Sequence, residues 1–135
     1  MTKENRREAA RAETILGDDA LRAADALLRV DLPNDAISRA YYAAFHYARA
    51  LLLTQGLEPK THRGVLSLLA KHFEVEGGLS RDVISVIARL QTFRALADYD
   101  ARERISPARA AEEVDAAHSF VDAARALLRA GGWIE

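Results

Sequence analysis

The chain contains no cysteine, which excludes disulfides, thiolate nucleophiles and cysteine-ligated zinc. No apolar run approaches the roughly 18 residues that a membrane-spanning helix requires. Residues 2–8 are polar or charged, unlike the apolar core of a secretory signal. We therefore expect a cytoplasmic protein that does not enter a membrane.

The signatures of several enzyme classes are also missing. Gly77-Gly78 lacks the lysine and the spacing of a phosphate-binding glycine loop. No two histidines stand four residues apart, so we expect no helix-borne zinc site, no other metal and no cofactor. No nucleophile elbow occurs, although a serine–histidine–acid arrangement built from distant residues stays open.

Proline is scarce, and each of the three prolines falls at an expected helix boundary. Alanine, leucine and arginine, all good helix formers, dominate the composition. Apolar residues recur every three or four positions, and no segment alternates as a strand would. We predict one all-α domain over residues 1–135, an up-down antiparallel bundle of four to five helices.

Helix boundaries follow from this periodicity and from capping residues. Gly17 is a candidate break in the first helix, and residues 74–78 form a loop that two glycines make mobile. The expected caps are Asn34 or Asp35, Thr61, Ser80 and Ser106. The expected helices are residues 3–30, 35–55, 62–73, 80–98 and the stretch from Pro107 to the glycines at 131–132.

The predicted fourth helix carries two stripes, because residues three or four apart share a helix face. The first is wholly apolar and can face the core: Val83, Val86, Leu90, Phe93 and Ala97. The second begins apolar and ends polar: Ile84, Ile87, Gln91, Arg94 and Asp98, followed by Tyr99. We interpret the first stripe as the surface that packs in the helix's own bundle and the second as the surface that contacts a second subunit. We therefore predict a homodimer, with the polar end of the second stripe at the mouth of the interface.

The net charge of −1 argues against bulk electrostatic attraction to nucleic acid, but the charge is unevenly distributed. Residues 36–73 carry five lysines and arginines and one acid, giving +4, which leaves −5 for the rest of the chain. Three of the four histidines lie in the same segment. This segment is either an ordinary solvated helix face or a local anion-binding surface.

Four segments form a recognisable combination: Ser38-Arg-Ala-Tyr-Tyr-Ala-Ala-Phe-His46, Ala50-Leu51-Leu52, Lys60-Thr-His-Arg-Gly64 and Arg94-Ala-Leu-Ala-Asp-Tyr99. In this order and spacing they closely resemble the HEPN domain family, in its small stand-alone bacterial and archaeal branch. The resemblance covers about residues 18–130. It implies a helical bundle, a homodimer and frequent pairing with a small nucleotidyltransferase. It also implies kinship with metal-independent ribonucleases, which are often toxins or anti-phage effectors.

Ribonuclease members of this family carry an arginine, four to six further residues and a histidine on or just after the fourth helix, and two such sites meet across the dimer. Arg94 matches the arginine, whereas the positions open to the histidine hold Tyr99, Asp100 and Ala101. An arginine can bind the scissile phosphate and its developing charge. The base or acid must come from another residue, because the unperturbed pKa of tyrosine is about 10.

The candidate catalytic residues are Arg94, Asp98, Tyr99 and His62. His62 is the best substitute for the missing histidine, provided that its loop folds toward the fourth helix. Otherwise it is an exposed residue near a helix start. Arg94 and Asp98 stand four residues apart, so a structural ion pair is the alternative to their catalytic role.

The candidate nucleotide- or RNA-binding residues are Arg39, Tyr42, His46, Lys60 and Arg63. Lys60, His62 and Arg63 would form part of an anion-binding rim with the basic second helix, with a solvated loop as the alternative. Arg39 and His46 also have six residues between them, but they lie on the second helix and not at the position of the family motif. The alternative to a binding role for this pair is a chance match of the spacing. Tyr42 borders the dimer cleft, with packing as the alternative to base stacking.

Two functions are consistent with these observations. The first is a toxin–antitoxin or defence-type HEPN protein that binds RNA or a nucleotide in a dimer cleft, with weak ribonuclease activity, and acts with a small nucleotidyltransferase. The alternative is a non-catalytic helical interaction module that regulates or supports such a partner. Whether the chain is an enzyme stays open, because the motif histidine is missing.

Overall fold

The computed structural model describes residues 1–74 and 78–135, and these residues form five α-helices without a strand. The helices are α1 (Lys3–Arg29), α2 (Pro33–Thr54), α3 (His62–Phe73), α4 (Arg81–Tyr99) and α5 (Pro107–Ala130). The predicted all-helical bundle is confirmed. The predicted loop at 74–78 includes residues 75–77, which lie outside the described residues. None of the described helices is both long and apolar enough to cross a membrane.

Side-chain caps begin three of the helices as predicted, each accepting a hydrogen bond from the backbone N–H three residues later: Thr61, Ser80 and Ser106. The cap predicted for α2 is wrong, because this helix begins earlier, at Pro33, whose fixed φ suits a first turn. Asn34 instead donates to the Glu103 carbonyl oxygen at 3.1 Å and accepts from the Ile105 N–H at 3.0 Å. Asn34 thereby fastens the α4–α5 connection to the start of α2.

The first helix runs through Gly17 without a break, so the predicted interruption is wrong. Gly17 is buried, and a Cβ at this position would lie 2.7 Å from the Tyr47 ring of α2. The absence of a side chain therefore lets α1 and α2 approach closely. Close packing outweighs the low helix propensity of glycine here.

The hydrophobic core surrounds α2, which lies at the centre of the bundle and contacts each of the other helices. Every helix contributes buried side chains to it: Leu21 from α1, Leu51 from α2, Leu69 from α3, Leu90 from α4 and Val121 from α5. Because α3 and α4 both pack on α2, this helix sets the position of their side chains relative to each other.

The fourth helix buries most of its apolar surface within the same chain. Ile84 and Ile87, which we assigned to a second subunit, are 7% and 1% exposed. That assignment is wrong, because α4 contacts α2, α3 and α5 at once and its wide apolar face is covered without a partner chain. The large apolar side chains that α4 exposes are Leu96 and Tyr99, near its end. The predicted homodimer therefore requires a different face of α4.

Candidate functional site

One face of α2 forms an aromatic platform that side chains of α3 and α4 contact. Ser38, Tyr41, Tyr42 and Phe45 share this face, since they stand at i, i+3, i+4 and i+7. The Tyr41 ring stacks on Phe45 at a centroid distance of 5.8 Å and meets Tyr42 edge-on at 5.3 Å. These contacts hold both phenol groups in place. We call these four residues the α2 platform.

Arg94 extends from α4 over this platform and is only 9% exposed. Its guanidinium carbon lies 5.1 Å from the centroid of the Tyr41 ring and 5.5 Å from that of Tyr42, within the range of cation–π attraction. Nη1 donates to an Asp98 carboxylate oxygen at 3.0 Å, and Nε donates to the Gln91 amide oxygen at 3.2 Å. The ion pair with Asp98, expected from the sequence, is therefore present and partly buried.

His62 is the first residue of α3, and the Thr61 cap sets where this helix begins. Its Nδ1 forms a hydrogen bond with the Tyr41 hydroxyl, and its ring centroid lies 4.7 Å from that of Phe45. Partial burial and the positive charge of Arg94 lower the pKa of His62 from its ordinary value of 6.5. The imidazole is therefore neutral at pH 7, and it shares Tyr41 with a cation from another helix.

Asp98 connects α4 to α2 a second time. One of its oxygens accepts from Arg94, and the other accepts from the Ser38 hydroxyl at 2.9 Å. Tyr99, by contrast, is 78% exposed, and no hydrogen bond among the described residues joins it to this group. We call Arg94, Asp98, His62, Tyr41 and Tyr42 the Arg94 cluster.

Three exposed cations stand close to the cluster in sequence or in space. Arg39 lies over the Tyr42 ring, 4.9 Å from its centroid, so this ring contacts two guanidinium groups. Lys60 and Arg63 flank His62 in sequence and are exposed, without an ion-pair partner among the described residues. We call Arg39, Lys60 and Arg63 the cationic rim, which the sequence predicted as a binding surface.

His46, like Tyr99, is a candidate that the fold does not bring into this group. Its Nδ1 lies 2.7 Å from a Glu13 carboxylate oxygen of α1, and Arg49 contacts the other oxygen of Glu13 at 3.4 Å. With Arg39 and Tyr42 it lines a shallow pocket of 260 Å³ between α1 and α2. His46 therefore links two helices, and the spacing that it shares with Arg39 does not place it beside Arg94.

Tyr41 is a site residue that was not predicted from the sequence. Its only signal was the helical spacing with Ser38, Tyr42 and Phe45, which put three aromatic rings and a hydroxyl on one face. That pattern equally describes a buried core stripe. The contact between Tyr41 and Arg94 joins residues far apart in the chain, so no pattern in the sequence near either residue predicts it.

The cluster provides a cation, a neutral imidazole and two phenols, a combination suited to a phosphate ester. Within residues 1–74 and 78–135, no group of three or more histidine or acidic side chains is placed to hold a metal ion.

Fold and site together define a helical bundle in which an arginine of α4 and a histidine of α3 meet the tyrosines of the central helix. A profile of the HEPN domain matches residues 17–131. A protein of Methanocaldococcus jannaschii named as a putative toxin is 35% identical over 123 residues, covering 91% of each chain. A second putative toxin of this organism is 32% identical over 111 residues, covering 82% of this chain and 76% of its own. The chain belongs to the HEPN domain family.

Replacing Arg94 by alanine should destabilise the fold, because Asp98 and Gln91 would lose a donor and two tyrosine rings would lose their cover. We expect the free energy of unfolding, measured by urea denaturation, to fall by about 2 kcal/mol. Arg39→Ala is the matched control, since Arg39 contacts the same Tyr42 ring from an exposed position. It should change stability by less than about 0.5 kcal/mol, and equal losses would contradict a buried role for Arg94.

Proposed function

We propose that this chain is a toxin-like HEPN protein that binds RNA through the Arg94 cluster and the cationic rim. The observation that carries the proposal is the meeting of Arg94 and His62 at Tyr41, which places a cation and an imidazole beside each other although the family's usual histidine is absent. Membership of the HEPN family and the similarity to two putative toxins support it.

Recognition would begin with the RNA backbone. The exposed members of the rim, Arg39, Lys60 and Arg63, attract phosphate groups at long range, which the local excess of positive charge favours. Arg94 then binds one phosphate with guanidinium N–H groups, while Asp98 keeps its fork oriented. The exposed Arg39 guanidinium would move from the Tyr42 ring onto a phosphate, which would free that ring to stack on a base, as in sequence-tolerant binding of single strands.

Cleavage would be metal-independent and slow. The ribose 2′-oxygen attacks phosphorus and the bond to the 5′-oxygen breaks, giving a 2′,3′-cyclic phosphate and a 5′-hydroxyl. Solvent hydroxide takes the 2′ proton, and water protonates the departing 5′-oxygen. Arg94 and His62 stabilise the charge that develops on the phosphate, which accelerates the reaction without a general base. In this mechanism Asp98 keeps the Arg94 guanidinium oriented, and Tyr99 lies at the edge of the cleft.

The dimer and the partner protein are further parts of the proposal. The exposed end of α4 forms an open, mainly apolar hollow of 520 Å³, and a second copy of the chain would cover it. Its lining includes Thr92, Ala95, Leu96 and Tyr99. Gln91 also lines this hollow and accepts from Arg94 Nε, so it would link the interface to the cluster of each copy. A small nucleotidyltransferase is the partner that the family resemblance suggests.

The non-catalytic interaction module remains the second candidate function. The observation that favours it is the internal satisfaction of Arg94, whose guanidinium already donates to Asp98 and Gln91. In that case the chain would bind and regulate its nucleotidyltransferase partner, and RNA would not bind at all. Binding measurements with RNA separate the two functions.

The RNA-binding proposal predicts an affinity that depends on salt and on the rim. Replacing Lys60 and Arg63 by alanine together should weaken binding of a short fluorescent single-stranded RNA about tenfold at low salt. The slope of log affinity against log salt should flatten by roughly 0.7 for each phosphate that the variant no longer binds. Fluorescence anisotropy across a salt series measures both quantities.

The matched control removes the same charge elsewhere, with Arg22→Ala and Arg29→Ala on α1. These residues lie outside the cluster and the rim, so the salt slope should not change. Absence of binding by the wild-type chain at low salt, or equal losses in the two double variants, would contradict the proposed site and favour the interaction module.

The dimer proposal predicts twice the chain mass of 14.9 kDa in size-exclusion chromatography with light scattering. Leu96→Lys should give a monomer, because a buried charge would face the apolar hollow of the partner copy. Ile15→Lys is the control, since Ile15 is also exposed but lies on α1. A wild-type monomer at micromolar concentration, or a Leu96→Lys variant that stays dimeric, would overturn this assignment of the interface.

A further inference from the structure

We propose that Tyr41 is a positioning residue that fixes the tautomer of His62, so that His62 presents its Nε2–H as a neutral hydrogen-bond donor to an RNA phosphate. The identity of this ligand rests on the proposed function. The tautomer is a property of the free protein and can be measured without RNA.

The first step concerns the proton of the Tyr41 hydroxyl. Tyr41 is 1% exposed, so water does not provide an acceptor for this group. Within the described residues, the hydrogen-bond partner of the hydroxyl is Nδ1 of His62 and no other atom. A buried hydroxyl that does not donate is unfavourable, so Tyr41 donates to Nδ1. The single proton of the neutral imidazole then resides on Nε2.

The second step concerns the charge of the imidazole. The titratable group bonded to the His62 ring is Tyr41 of α2, and the charge that acts on it is Arg94 of α4, which is itself paired with Asp98. Burial raises the pKa of the Tyr41 phenol, which therefore stays uncharged. Partial burial and the positive charge of Arg94 lower the pKa of His62 and so oppose its protonation, while Lys60 and Arg63 are exposed neighbours in sequence. The surroundings thus favour neutral imidazole.

The third step concerns the free nitrogen. His62 is an exposed residue even though its Nδ1 contacts a buried phenol. Its Nε2 has no hydrogen-bond partner among the described residues, so this N–H is free to bind a ligand. A neutral imidazole whose pKa has been lowered can polarise an oxygen by donating a hydrogen bond to it. This role needs no change of protonation, and it accords with slow cleavage that lacks a general base.

Nitrogen-15 NMR of the free, histidine-labelled protein tests the tautomer directly. At pH 7 we expect His62 to show an unprotonated Nδ1 and a protonated Nε2, and to titrate with a pKa below its ordinary value of 6.5. Tyr41→Phe removes one hydroxyl and keeps the ring under Arg94, so the fold should be retained. In this variant both tautomers should appear, and RNA affinity should fall about threefold to tenfold.

Tyr42→Phe is the matched control, because its hydroxyl lies 3.5 Å from Arg94 and is not bonded to His62. It should leave the His62 resonances unchanged. Two substitutions of His62 then test the donor itself. His62→Gln places an amide N–H near the position of Nε2 and should retain most of the RNA affinity. His62→Asn places its amide near Nδ1 and should lose affinity about tenfold.

Two NMR results would overturn the inference: a wild-type His62 with the proton on Nδ1, or a tautomer that Tyr41→Phe leaves unchanged. Loss of affinity in His62→Gln equal to that in His62→Asn would refute the role of Nε2–H as a donor. A failure of the proposed function is distinct, since RNA would then not bind while the NMR signature of the Nε2–H tautomer persisted.

Discussion

The contact between Arg94 and the tyrosines of α2 is the interaction on which the rest of the site depends. A guanidinium as buried as this one needs acceptors and aromatic faces to offset its lost hydration. Asp98 supplies the negative charge, and it also accepts from a hydroxyl of α2. His62 then brings α3 to the same place through Tyr41. One cation therefore organises side chains from three helices.

Most of the fold could be predicted from the sequence because its determinants are local. The helices follow apolar periodicity, and Ser80 and Ser106 mark helix starts by hydrogen bonds to nearby N–H groups. The surface that each stripe of α4 contacts could not be predicted, since periodicity gives the width of an apolar face but not its neighbours. Ile84 and Ile87 were therefore assigned to a partner. Tyr41 could not be singled out because its contacts are long-range and its spacing resembles that of core residues.

The chemistry proposed for the site follows from what the fold places beside Arg94. The usual histidine of the family's ribonucleases would follow the arginine along the chain, whereas His62 comes from another helix and is bonded to a buried phenol. Such a histidine is neutral at pH 7 and, on our proposal, acts as a hydrogen-bond donor, because its Nδ1 is already engaged by the Tyr41 hydroxyl. We therefore propose that the protein binds RNA and cleaves it only weakly. The aromatic platform of α2 then belongs to the binding site as well as to the core.

The most direct test of the central claim is a chemical-shift map of RNA binding. Isotope-labelled protein would be titrated with a short single-stranded RNA carrying 2′-O-methyl groups, which block cleavage, at low salt. We predict that the largest shifts fall on the His62 ring, the Arg94 guanidinium and the Tyr42 ring, with smaller ones at Lys60 and Arg63. Shifts confined to other surfaces, or no shifts at all, would contradict this claim.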